Sequence, residues 1–181
     1  MKELSLNILD IAENSVKAGA TLTEILLDER GGVLTLTIRD NGCGMTAPTL
    51  RAVTDPFYTT RTTRKVGMGL PLLKLAAEMT GGDMTITSRA AAEHPADHGT
   101  VVTARFVTDH IDCPPLGDVI ATLVTLIQGH LDTDFRFCHH TADGREVTLD
   151  TRELRAVLED VPLNTYEVLQ WIEGSLREQY E

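Results

Sequence analysis

Between residues 33 and 45 the chain runs as a strand and then bends sharply, and no other stretch restricts the fold as much. Residues 33–38 (VLTLTI) alternate aliphatic side chains with threonine and are rich in β-branched residues, the pattern of a strand with one buried face. Arg39-Asp40-Asn41-Gly42-Cys43-Gly44-Met45 follows at once. Asp40 stands at the mouth of the strand. An ionised carboxylate only accepts hydrogen bonds, so an aspartate in a pocket suits the exocyclic amine of adenine. Gly42 and Gly44 allow positive φ and close approach of a ligand to the backbone. Asp, Asn and Gly are also the usual residues of a plain β-turn, so the bend alone leaves both readings open.

Upstream, residues 4–16 (LSLNILDIAENSV) carry apolar side chains near helical spacing and predict an amphipathic helix that ends at Gly19. Asp10 and Asn14 are four apart and share a face, with Lys17 three further on. An acid, an amide and a cation thus form one polar stripe, which is equally the pattern of a solvated helix face. Residues 23–27 and 33–38 flank Asp28-Glu29-Arg30-Gly31-Gly32 and predict an antiparallel hairpin.

Beyond the bend, residues 47–53 read as a short helix. Residues 54–66 hold five threonines with Arg61, Arg64 and Lys65 and little to bury, which predicts a mobile polar loop. Gly67-Met68-Gly69 then opens a helix over 70–79, with Pro71 in its first turn and Gly81-Gly82 past its end. Free N–H groups at such a glycine-flanked N-terminus favour a phosphate. The sequence contains no Gly-x-x-x-x-Gly-Lys-Ser/Thr loop, and the 67–69 glycines do not form a Gly-x-Gly-x-x-Gly dinucleotide fingerprint. Strands over 83–88 and 100–107 complete this unit.

The 181 residues are 42% hydrophobic and 24% charged, enough for one good core and a small second unit. No apolar run nears the ~20 residues of a membrane span, and Met1-Lys2-Glu3 begins no secretory segment, so a cytoplasmic protein with no membrane partner is expected. Cys43, Cys113 and Cys138 are too few and too scattered for a disulfide framework. Residues 1–108 carry 12 acidic and 11 basic side chains, whereas 109–181 carry 15 and 5. Such acidity excludes a nucleic-acid surface in the second part, because phosphate binding needs clustered Lys and Arg.

Pro114-Pro115 marks a boundary, after which a helix over 116–128, a hairpin of 134–140 with 145–149, and helices over 152–158 and 165–180 are expected. Cys138-His139-His140 with Cys113 meets no structural zinc spacing, and adjacent strand residues point to opposite faces, so no zinc site is expected from that run.

Taken together, Asn14 on a first helix, the Asp40–Gly44 bend, the Thr/Arg loop and the Gly67–Gly69 helix start resemble, in order and spacing, the four ATP-site boxes of the GHKL superfamily of gyrase, Hsp90, histidine kinases and MutL-type ATPases. The resemblance covers about residues 4–108. ENSVKAGAT (13–21) and DNGCGM (40–45) are most similar to the mismatch-repair branch, whereas residues 55–86, with Phe57 before a Gly-x-Gly-Leu helix, are similar to the histidine kinases. The resemblance implies an α/β fold, a two-layer α/β sandwich of the Bergerat type with a mixed, mostly antiparallel sheet, followed by a small α+β region at 109–181.

It further implies that Asp40 receives the adenine amine with Thr100 of GTVVTARF in support, and that Asn14 holds Mg²⁺ bridging the ATP phosphates. Lys17 takes the place of a phosphate-contacting lysine of the kinases. Gly42, Gly44, Met45, Phe57 and Thr60 belong to the nucleotide boxes, Arg61, Arg64 and Lys65 to an ATP lid, and the amides around Gly67, Met68, Gly69 and Leu70 to the phosphate wrap. The hydrolytic members carry a glutamate four residues before Asn14; here it is Asp10, one methylene shorter, so a catalytic base there has less reach. Glu13, turned about 100° away on the helix, is a poor substitute. None of the six histidines is followed by Asp or Glu, as acceptor boxes of histidine kinases require. These features predict an ATP-binding protein acting as a kinase in trans on, or as a regulator of, a protein partner. The alternatives are a slow ATPase switch and a non-catalytic nucleotide sensor, with homodimerisation left open.

Overall fold

The computed structural model describes residues 3–54 and 69–181. The expected first helix forms as α1 (Leu4–Lys17). Its end is a glycine stop: Gly19 takes φ +79°, and Gly19 N and Ala20 N donate to Val16 O and Ser15 O, the paired bonds of a Schellman motif. β1 (Leu22–Arg30) and β2 (Val33–Asp40) then pair antiparallel, with Arg30 opposite Val33 across Gly31-Gly32. Both glycines have positive φ, as the tightest hairpin turns require.

The chain continues through α2 (Ala47–Thr54), α3 (Gly69–Met79), β3 (Asp83–Arg89) and β4 (Gly99–Val107). After them come α4 (Val119–Gly129), β5 (Asp134–His140), β6 (Glu146–Asp150), α5 (Thr151–Leu158) and α6 (Tyr166–Tyr180). The six strands form one sheet in the order β3-β4-β2-β1-β5-β6. Among the described residues only β1 with β5 is parallel, so the sheet is mixed and mostly antiparallel, in the α/β class expected.

The boundary drawn near residue 108 does not interrupt the sheet. β5 lies directly against β1, and α4 supplies the crossover that a parallel neighbour demands. Leu4, Ile8 and Ile11 of α1 share one apolar cluster with Leu123 and Leu126 of α4, Phe135 and Phe137 of β5, and Ile172 and Leu176 of α6. Polar ties cross the same boundary: Leu4 N and Ser5 N donate to Pro115 O and Leu116 O, and Thr122 Oγ1 donates to Ser5 O. Residues 109–181 therefore build half of a common core.

Alternation decides which face that core takes. Ile25 and Leu27 of β1, Leu34, Leu36 and Ile38 of β2 and Phe135 and Phe137 of β5 are buried under the helices, while the residues between them face away. A buried polar chain closes the far end. His139, 3% exposed, has Nε2 at 2.6 Å from Glu29 Oε1 and Nδ1 at 2.7 Å from the Tyr180 hydroxyl, joining β1, β5 and α6. Burial, reinforced by the Glu29 charge, pushes the Tyr180 phenol well above its ordinary value. No helix among the described residues is long and apolar enough to cross a membrane.

Candidate nucleotide-binding site

The strand-to-bend transition is built by side chains that replace the lost ladder. Asn41 Oδ1 accepts from Thr21 N and Leu22 N, its amide donates to Thr21 Oγ1, and Cys43 N donates to Ala18 O. The bend is thereby tied to the α1–β1 connection. Its two glycines are required for different reasons. Gly44 has φ +67°, and a Cβ there would stand 2.0 Å from Arg89 O. Gly42 has no positive φ; a Cβ there would meet Ala18 Cβ at 2.8 Å and Ala18 O at 2.9 Å. The expectation of positive φ at both glycines is corrected for Gly42: packing demands each of them, and only Gly44 takes the left-handed region.

The Asp40 carboxylate is oriented on two sides. Ser15 Oγ donates to Oδ2 at 2.8 Å and Gly42 N donates to Oδ1 at 2.9 Å. A carboxylate has about four lone-pair sites, so two remain for a ligand. Asp40 also sits directly opposite Thr100 in the β2–β4 register, which brings the two side chains together on one face. Ser88 Oγ in turn accepts from Met45 N and lies 2.8 Å from Thr100 Oγ1, linking the far side of the bend to β4.

These groups open onto a cavity of about 520 Å³ between α1, α2, α3 and the sheet. Asn14, Lys17, Asp40, Gly44, Met45, Leu70 and Thr100, all anticipated from sequence, line it together. Its apolar walls are Ile11, Ile38, Val53 and Val102. Such a mostly apolar hollow with a few convergent polar groups suits a planar base with a polar edge. Gly42 is buried behind Asp40.

Asp10 and Gly69 stand apart from the cavity lining. Asp10 is exposed on α1, one turn before Asn14, and a Cβ on Gly69 would lie 3.5 Å from Asp10 Cβ. The N-terminus of α3 therefore abuts the polar stripe of α1. Glu13 is engaged elsewhere, with both carboxylate oxygens 2.9 Å from His130 Nε2. Phe57, Thr60, Arg61, Arg64, Lys65, Gly67 and Met68, and with them the expected lid over 54–66 beyond Thr54, lie outside the described residues.

Sequence reasoning missed Ser15, Cys43 and Ser88. For Ser15 a signal was present: positions 4, 8, 11 and 15 form the core stripe of α1, and a serine at the end of such a stripe is a buried hydroxyl in need of an acceptor. Asn14 fits the expected Mg²⁺ role to the extent that its amide oxygen is a hard donor on the cavity wall. Mg²⁺ needs few protein ligands when phosphates and water complete its shell.

Comparison with known proteins agrees with this architecture. The family model for histidine kinase-, DNA gyrase B- and HSP90-like ATPases matches residues 2–110. The tetrathionate sensor histidine kinase TtrS of Salmonella typhimurium is 29% identical over 103 residues, 57% of this chain and 17% of its own. DNA mismatch repair protein MutL of Proteus mirabilis is 32% identical over 95 residues, 49% of this chain and 14% of its own. The chain thus spans less than a fifth of the length of either relative. The Aquifex aeolicus MutL ATPase domain, solved with ADP, superposes with a TM-score of 0.54 at 15% identity, covering 88% of this chain and 70% of that one. The N-terminal domain of a DNA repair protein superposes with a TM-score of 0.58 at 13% identity, covering 83% and 53%. The family match covers more than half of the chain, and the overall fold is shared with the solved domains: this chain belongs to the histidine kinase-, DNA gyrase B- and HSP90-like ATPase family.

Proposed function

We propose that the chain binds ATP with Mg²⁺ in the Asp40 cavity and uses the bound nucleotide to act on a protein partner, as a kinase in trans or as a nucleotide-dependent regulator. The observation that carries the reading is the Asp40 carboxylate, oriented by Ser15 and the Gly42 amide and facing a cavity with apolar walls. In this reading adenine stacks between those walls and donates its amine to Asp40, Asn14 ligates Mg²⁺, and Lys17 at the rim meets the phosphates.

Asp40→Asn tests the adenine pocket. It replaces an acceptor with a group that can present a donor to the amine, and should weaken ATP by about 1–3 kcal/mol, or about tenfold to a hundredfold. Calorimetry giving equal ATP affinity for both proteins would sink the pocket assignment.

A second reading, a nucleotide sensor without turnover, is favoured by one feature: Asp10 lies outside the cavity lining and is shorter than a glutamate. Incubation with γ-labelled ATP separates the two. If Asp10 is a working base, Asp10→Asn removes slow turnover and leaves binding nearly intact, because the lost interaction matters only in the transition state. A parent protein that binds ATP and shows no turnover favours the sensor, whereas turnover that survives the substitution assigns the base to a group other than Asp10.

A further inference from the structure

Outside the nucleotide cavity, one group of metal-ligating side chains converges among the described residues: Cys138, His140 and Glu146, whose donor atoms all lie within 4.8 Å of one another. Strand geometry brings them together. Residues 138 and 140 are two apart on β5 and share a face, while His139 between them points under the helices to Glu29 and Tyr180. β6 pairs with β5 so that Glu146 is directly opposite His140. On the other flank, β1 sets Asp28 beside His140. Adjacency in sequence argued against zinc at Cys138-His139-His140, but alternation on one strand and pairing with the next give a different set, without His139 and without Cys113.

We propose that Cys138 Sγ, a ring nitrogen of His140 and the Glu146 carboxylate form a site for a zinc-class divalent cation, on the sheet face opposite the nucleotide cavity. Two atoms bound tetrahedrally to one Zn²⁺, at about 2.3 Å for sulfur and about 2.0 Å for nitrogen, stand about 3.5 Å apart. Cys138 Sγ and His140 Nε2 are 3.5 Å apart. Glu146 Oε2 is 3.6 Å from His140 Nδ1, and its side chain is 60% exposed, so no close packing holds the carboxylate on that nitrogen. Thiolate with imidazole and carboxylate selects a borderline metal; Mg²⁺ and Ca²⁺ prefer oxygen alone. Three protein donors leave a fourth position for water, the count of an open rather than a closed zinc site. Binding converts the thiol to thiolate and releases its proton to solvent.

The same side chains could hold one another by a Cys–His hydrogen bond and a His–Glu ion pair alone, and metal uptake separates the two cases. The full chain, stripped with chelator and free of nucleotide, is titrated with Co²⁺ and followed by near-ultraviolet sulfur-to-cobalt absorption and visible bands of tetrahedral intensity. One equivalent is expected, displaced by Zn²⁺, and excess Zn²⁺ should raise the melting temperature. Cys138→Ser and His140→Ala should each abolish the sulfur-to-cobalt band or weaken binding more than about tenfold, the lower end of what losing even an outer partner costs a metal site. Cys113→Ser should titrate like the parent. Should Cys138→Ser fold poorly by circular dichroism, His140→Ala at a half-exposed position decides alone. Absence of the sulfur band in the folded parent, or an undiminished band in folded His140→Ala, overturns the site.

Discussion

The two halves of the helical layer rest on the same sheet face, yet one leaves a hollow and the other is filled. Over β2 and β4, the residues at the interface include Ile11, Ser15, Ala18, Gly44 and Thr100, and a cavity of about 520 Å³ remains. Over β5 and β6, Leu123, Leu126, Phe135, Phe137, Ile172 and Leu176 meet with at most 1% of their surface exposed. α1 spans both, turning Leu4 and Ile8 to the filled side and Ile11 and Ser15 toward the hollow. Backbone architecture alone does not make a binding site. Ser15, Ala18 and Gly44 leave room there, whereas large apolar side chains close the other half.

Breaking the filled half should have the largest effect. Phe137→Ala removes a fully buried ring and should cost about 3–5 kcal/mol in denaturant unfolding. ATP affinity of the protein that remains folded should change little, because distant sites add independently. Loss of both together would mean that the halves are coupled more tightly than their packing suggests.

Gly44→Ala attacks the hollow through its backbone. The new Cβ would be driven onto Arg89 O at a left-handed φ, so stability should fall by about 1–3 kcal/mol. Because the same bend carries Asp40, ATP affinity should fall as well. A substitution that altered stability alone would detach the glycine from the site.

Ser15→Ala isolates one hydrogen bond. It leaves the helix intact and removes a donor to Asp40 Oδ2, so ATP affinity should drop by about 0.5–1.5 kcal/mol, up to roughly tenfold, with little change in melting temperature. Titration calorimetry on the two proteins side by side reads this directly. In the filled half, Gly174→Ala on α6 meets nothing within 4 Å and should stabilise by about 0.5–1 kcal/mol. That opposite sign, read in a thermal melt, would sharpen the contrast between glycines the fold demands and one it merely tolerates.

Local pattern carried much of this protein's description. Helical and alternating periods located every described helix and strand to within a few residues, because each reports a face that must be buried wherever the element finally packs. The candidate nucleotide boxes were legible for a related reason: Asn14 and residues 40–44 stand in short motifs whose residue types and order the chain itself displays, although long-range partners such as Ser15 and Arg89 complete their geometry. What tertiary structure alone decided is non-local. The 109–181 segment read as a separate unit because nothing in it announces β5 pairing parallel to β1, a choice made by crossover and core packing. Ser15 looked like a helix interior residue until folding brought Asp40, 25 positions away, within 2.8 Å. Asp10 shares a helical face with Asn14, yet the cavity lining includes only the second of them. Cys138, His140 and Glu146 look unrelated until strand register aligns them, because sequence spacing records neither which strands pair nor in what register.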